Sequence, residues 1–118
     1  MALIASTGAI KPTPGTPLPA MPAATQALIV ATFGYLQPIS AFVVRSLSTN
    51  STGNKVYFLS NNTAADKVNL TNVLWYFEVP NEAISFTSGP GTNVYQLQTM
   101  YIDADNGGDG VVITYEIY

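Results

Sequence analysis

Short apolar runs alternate along this chain with clusters of Gly, Pro, Asn, Ser and Thr. The runs are four to nine residues long and rich in Val, Ile, Phe and Tyr, the residues that suit a pleated, half-buried surface. Segments 26–33, 39–47, 55–59, 73–79, 83–87, 95–102 and 111–118 are the predicted strands. The intervening stretches 34–38, 50–54, 60–69, 80–81, 88–92 and 103–110 carry the turn residues. Period two is clearest at the end of the chain. There Val111, Ile113, Tyr115 and Ile117 fall on one face, and Thr114, Glu116 and Tyr118 on the other with Val112. Likewise Tyr95, Leu97, Thr99 and Tyr101 alternate with Gln96, Gln98 and Met100. The run Val73-Leu74-Trp75-Tyr76-Phe77 is apolar on both faces, which predicts a central strand covered on both sides, with Trp75 and Phe77 in the core. Ala24-Thr25-Gln26-Ala27-Leu28 has helix-forming residues, but the β-branched residues that follow favour a strand. Seven short strands separated by turns predict an all-β fold. We expect an antiparallel β-sandwich or jelly-roll-like domain over residues 25–118.

Residues 1–24 have a different character. Five of the eight prolines lie here, at Pro12, Pro14, Pro17, Pro19 and Pro22. Proline fixes φ and pushes the residue before it towards extended conformations. The segment therefore reads as an extended Pro-rich N-terminal arm or a flexible tail, with the docking arm preferred. Twenty residues at about 3.1 Å each would reach roughly 60 Å, far enough to touch a neighbouring subunit. Leu3, Ile4, Ile10, Leu18 and Met21 are its expected partner-binding anchors.

Composition adds an argument about surroundings. At 118 residues the chain has the length of one domain. Only 9% of its residues are charged, against about 25% in an ordinary soluble domain. Mean hydropathy is +0.23. A surface so poor in charge is a solubility risk for a free monomer, so we expect neighbours to cover part of it. Net charge is −3, and Lys11, Arg45, Lys55 and Lys67 are scattered. No basic patch exists to release counterions from nucleic acid or to hold an anionic membrane. The apolar start Met1-Ala2-Leu3-Ile4-Ala5 lacks a basic flank and is not expected to be a secretory signal. The sequons at Asn50, Asn61 and Asn69 then read as turn chemistry rather than glycan acceptors.

Catalytic chemistry has little to work with. There is no His and no Cys, hence no imidazole proton shuttle and no thiolate. Asp103-Ala104-Asp105-Asn106-Gly107-Gly108-Asp109 partly resembles a calcium loop, with Asp103, Asp105 and Asp109 as weak candidate ligands. Gly107 and Thr114 stand where further ligands are needed, so a hairpin loop is the preferred reading and no cofactor is expected. Glu78 and Glu82 flank the turn at 80–81, but nothing sets them at the separation that glycoside hydrolysis requires. Ser88-Gly89-Pro90-Gly91-Thr92 lacks the lysine of a phosphate-binding loop. We do not expect an enzyme. Tyr57, Trp75, Tyr76, Phe77, Tyr95, Tyr101, Tyr115 and Tyr118 read chiefly as core, with a sugar-stacking platform as the competing use.

An arm over 1–24 followed by a β body over 25–118, in a Cys-free and charge-poor chain, resembles the small decoration (cement) proteins of tailed bacteriophage capsids. The resemblance implies a structural virion protein at the capsid surface, made in the host cytoplasm. It further implies a homotrimer that bridges capsomers, with the major capsid protein or other virion subunits as partners. A carbohydrate- or receptor-binding β-sandwich module, or a tail or head-fibre subunit, is the alternative.

Overall fold

The computed structural model describes residues 3–34, 39–87 and 97–117, apart from the side chains of Leu3, Ile4, Ser40 and Ile117. Among the described residues eight strands form two four-stranded antiparallel sheets. The strands are β1 (Leu3–Ile10), β2 (Leu18–Pro19), β3 (Ile39–Ser46), β4 (Val56–Leu59), β5 (Val73–Phe77), β6 (Ala83–Thr87), β7 (Tyr101–Ala104) and β8 (Val111–Ile117). One sheet runs β1-β8-β3-β6 and the other β2-β7-β4-β5. The pairs β1·β8, β2·β7, β3·β6 and β4·β5 are nested, first strand with last and so on inward. Two further pairs, β3·β8 and β4·β7, complete the sheets.

The core lies between the sheets, where strand alternation puts every second side chain. Phe42 and Val44 of β3 with Val111, Ile113 and Tyr115 of β8 face Val56 and Phe58 of β4 and Ile102 and Ala104 of β7. Phe86 stacks on Phe42 at 4.8 Å between ring centroids and meets Phe58 at 5.5 Å. The predicted face of β8 is thus confirmed at Val111, Ile113 and Tyr115, while Tyr118 and Tyr95 lie outside the described residues. The turn expected at 88–92 also lies outside them.

Four expectations are corrected. First, residues 23–33 form a helix, α1 (Ala23–Phe33), where a strand was expected over 26–33. Gly34 ends it at φ 87 and donates its N–H to the Val30 carbonyl, a left-handed C-terminal cap that a side chain with a Cβ adopts only at a cost. Helix formers and this stop signal outweigh three β-branched residues. Second, the central strand covered on both faces is β4, all four of whose residues are buried, and not Val73–Phe77. Val73–Phe77 is the outermost strand of its sheet. Phe77 is buried as expected, but Trp75 is 45% exposed, on a strand that has a neighbour on one side only among the described residues. Third, the strand expected at 95–102 begins only at Tyr101, and a single 3₁₀ turn occupies Leu97–Thr99.

Fourth, the N-terminal segment is extended in part but does not stand off from the body. β1 pairs with β8 from Leu3↔Ile117 to Ile10↔Val111, and Leu18–Pro19 pairs with Tyr101 and Ile102. Ile10 and Met21 are buried in the core. Pro14 lies in the turn Thr13–Thr16, Pro19 on the edge strand β2 and Pro22 at the N-terminal cap of α1. An edge strand tolerates Pro, so a Pro-rich segment can close a sheet as readily as it can dangle.

Candidate interaction surfaces

Helix α1 joins the edge strand β2 to the central strand β3. Its sequence, Ala-Ala-Thr-Gln-Ala-Leu-Ile-Val-Ala-Thr-Phe, is apolar nearly all round and carries no charge. A helix of that kind normally belongs in an interior. Here only Ile29 is buried. Leu28 is 67% exposed, with Val30 and Phe33 also open to solvent. Leu18 on β2 adds another exposed aliphatic group at the approach to the helix. A shallow, mostly apolar pocket lined by Ile10, Leu18, Pro19, Pro22 and Ala23, with Lys11 also on its wall, lies where β2 leads into α1. Gln26 fastens the first turn, donating from Nε2 to the Met21 carbonyl at 2.8 Å.

The expected arm anchors therefore divide. Ile10 and Met21 serve the protein's own core, Leu18 is exposed, and Leu3 and Ile4 lie on β1 with side chains outside the described set. The apolar surface missed at the sequence level is Leu28, Val30 and Phe33. The sequence carried a signal for it: a run of helix formers closed by Gly34, with no polar face for solvent.

Further exposed apolar residues lie along 68–79, the stretch that holds the edge strand β5. Val68, Leu70, Leu74, Trp75 and Val79 are all exposed, on and beside β5. Tyr76 is held on the sheet by Tyr57, 6.5 Å away, and by the Lys55 ammonium 4.7 Å from its ring centre.

The three aspartates of the 103–109 loop do not converge. Asp103, fully buried, accepts hydrogen bonds from the amides of Gly15, Ala104 and Ala65. It thereby ties the N-terminal turn and the 60–72 loop to β7. Asp105 accepts from the Lys55 amide and the Tyr57 hydroxyl, both at 3.0 Å, and pairs with Lys67 at 2.7 Å. Burial by itself raises the Asp105 pKa, but Lys67, the Lys55 amide and the Tyr57 hydroxyl outweigh it and hold the group below its ordinary value. Burial, then the bond to Asp105, pushes the Tyr57 phenol up. Asp109 is engaged by the amide and hydroxyl of Ser51. Each carboxylate thus clamps a loop. Among the described residues no group of three or more acidic side chains is placed to hold a metal ion. Glu82 turns its carboxylate onto the amides of Glu78 and Val79, capping the turn between β5 and β6.

Among the described residues no helix is long and apolar enough to cross a membrane. No protein-family model matches the chain, and no curated protein matches it in sequence.

Proposed function

We propose that this chain is a structural subunit of a larger assembly, and that the assembly is a bacteriophage capsid which it decorates. The observation that carries the reading is α1: an uncharged helix, apolar on nearly every side, that buries only Ile29 against its own domain. Exposed apolar surface of this kind is the mark of a partner. The strand order supports the setting. Nesting first strand with last in two facing sheets is the arrangement of a jelly roll, an architecture common in viral capsid domains. Fold alone does not carry function, so the helix remains the deciding feature. The mechanism is mass action: a protein that binds the assembled shell and not free capsomers stabilises the shell. Attachment runs through α1 and Leu18 rather than through a free arm, and the major capsid protein is the proposed partner. Co-sedimentation with undecorated phage shells tests this. The full chain should pellet with shells, and Leu28→Glu with Phe33→Glu should stay in the supernatant; equal pelleting of both would end the α1 assignment.

One observation favours a second reading. Trp75 is exposed, with Tyr76 beside it, and lectins also use jelly rolls. Stacking on a sugar would quench the indole, so a fluorescence titration with soluble glycans decides it. Against it stands the small lining of the hollow beside Trp75, which Trp75 and Tyr76 alone form among the described residues.

A further inference from the structure

An asparagine becomes an acid without an enzyme when the backbone nitrogen of the next residue attacks its side-chain carbonyl carbon. Two things hold that reaction off: a side chain on the next residue, which crowds the nitrogen, and a hydrogen bond that already engages its N–H. Asn50, Asn54, Asn69, Asn72 and Asn81 are all held in the second way. The amides of Ser51 and Lys55 donate to the carboxylates of Asp109 and Asp105, those of Leu70 and Val73 to backbone carbonyls, and that of Glu82 to the Ser46 hydroxyl. Asn61 and Asn62 are followed by Asn62 and Thr63, whose side chains supply the crowding, and Asn93 lies outside the described residues. Asn106 has neither protection. It is exposed, it is the only asparagine in the chain followed by glycine, and the Gly107 N–H has no partner among the described residues. A Cβ at Gly107 would meet nothing within 4 Å, and Gly108 follows at φ 88. The turn 106–109 is closed by one long bond, from the Asp109 amide to the Asn106 carbonyl at 3.3 Å. Asp109-Gly110 could undergo the acidic counterpart of this chemistry, and the fold shuts it. Asp109 is buried and held by Ser51, and the Gly110 amide donates to Asn50.

We propose that Asn106 is a site of spontaneous deamidation, and that its conversion loosens the junction between the 50–54 loop and the connection from β7 to β8. The Gly107 nitrogen forms a bond to Asn106 Cγ, the Cγ–Nδ2 bond breaks, and the nitrogen's proton leaves with Nδ2 as ammonia. Water then opens the succinimide ring at either carbonyl, leaving an aspartyl or an isoaspartyl residue. Nothing is oxidised or reduced. The lost amide matters because Asn106 Nδ2 donates to Ser51 Oγ at 3.3 Å. Asn54 Nδ2 donates to the same oxygen at 3.0 Å, and Ser51 in turn donates to Asp109. A carboxylate at 106 has no proton to donate at neutral pH. It also brings a negative charge to the hydroxyl that Asp109 already holds, in a chain of net charge −3. The isoaspartyl product further lengthens the main chain by one methylene where it passes from one sheet to the other. This site is separate from the α1 surface and does not depend on the capsid assignment.

Incubating the full chain at mildly alkaline pH, folded and in guanidinium chloride, tests this by intact mass and peptide mapping. The expected result is the mass gain of one amide-to-acid conversion, mapped to Asn106, at a folded-state rate within about tenfold of the unfolded one. Isomerisation at Asp109 should appear in the unfolded chain alone. Gly107→Val, which the open space at that position admits, should slow the conversion by roughly tenfold or more. Asn106→Gln should remove it, and both variants should keep the wild-type circular dichroism spectrum. The chain purified in the acid form should melt below the amide form. A slower folded-state rate, or a first conversion at another asparagine, overturns the proposal. Equal melting temperatures of the acid and amide forms overturn the loosening. Should Gly107→Val fail to fold, Asn106→Gln and the ratio of folded to unfolded rates decide.

Discussion

Asn50 and Gly110 exchange two hydrogen bonds, the Asn50 side-chain amide donating to the Gly110 carbonyl at 2.8 Å and the Gly110 N–H donating to Asn50 Oδ1 at 2.9 Å. A side-chain amide here imitates a pair of backbone groups in a ladder, just ahead of β8. The site is buried, and a Cβ on Gly110 would stand 1.9 Å from the Ile10 carbonyl oxygen. Glycine is therefore required by the close approach of β1, and Asn50 completes what the strands leave unpaired.

Asn50→Asp should lose the donor and set a carboxylate against a carbonyl, at a cost of about 1–3 kcal/mol. Gly110→Ala should cost about 3 kcal/mol or more, because backbone must move to admit the methyl group. Chemical denaturation of the two variants measures both, and a neutral Gly110→Ala would refute the packing of β1 on Gly110.

Deleting residues 1–22 should abolish cooperative unfolding. The deletion removes a full strand of one sheet, the short edge strand of the other, and the buried Ile10 and Met21. Differential scanning calorimetry is the check; a truncated protein with an unchanged transition would mean that the segment is an accessory after all.

Phe58→Ala should cost about 3–5 kcal/mol, as expected for truncating a fully buried aromatic ring. Trp75→Ala should cost about 1–2 kcal/mol at most, since nearly half the indole is already in water and the burial term scales with area. Urea midpoints of the two variants rank them, and the reverse order would place Trp75 in the core.

Acid should weaken the protein partly through Asp105. Its pKa is held below the ordinary 3.8, so its contribution is complete above about pH 4 and fades as pH falls through the lower folded-state value. Lys67 is raised above 10.5 by its bond to Asp105, and so contributes below that pH and loses the contribution as pH rises through its folded value. Lys67 is half exposed, which keeps the ion pair itself under about 1 kcal/mol. Asp105→Asn should therefore cost about 1–2 kcal/mol at pH 7, mostly through weakened hydrogen bonds, and less at pH 3. Melting curves across that range would show a constant difference if Asp105 were not involved.

Local pattern was enough for much of this protein. Alternation fixed the inward face of β8, because a half-buried strand has to alternate whatever it pairs with. The runs at 39–47, 55–59 and 83–87 became β3, β4 and β6, as their β-branched and aromatic residues between turn clusters indicated. The Asn-Gly-Gly cluster was legible as a turn, but the hairpin expected over 103–109 is corrected: Asp103 and Ala104 belong to β7, and β7 and β8 lie in different sheets, so the connection crosses between them. What the chain could not announce was its order in space. Both 55–59 and 73–77 are apolar on two faces, yet β4 lies between two strands and β5 lies outside them. An apolar residue looks the same in sequence whether the core covers it or not, so Trp75, 45% exposed, and Phe77, buried, are told apart only by the packing around β5. Prolines marked the first 24 residues as extended, but whether an extended segment docks on its own body depends on an open edge such as that of β8, some hundred residues away. The charge-poor composition pointed to covered surface. The tertiary structure put that surface on α1 and β5, because those are the elements its own core leaves unused.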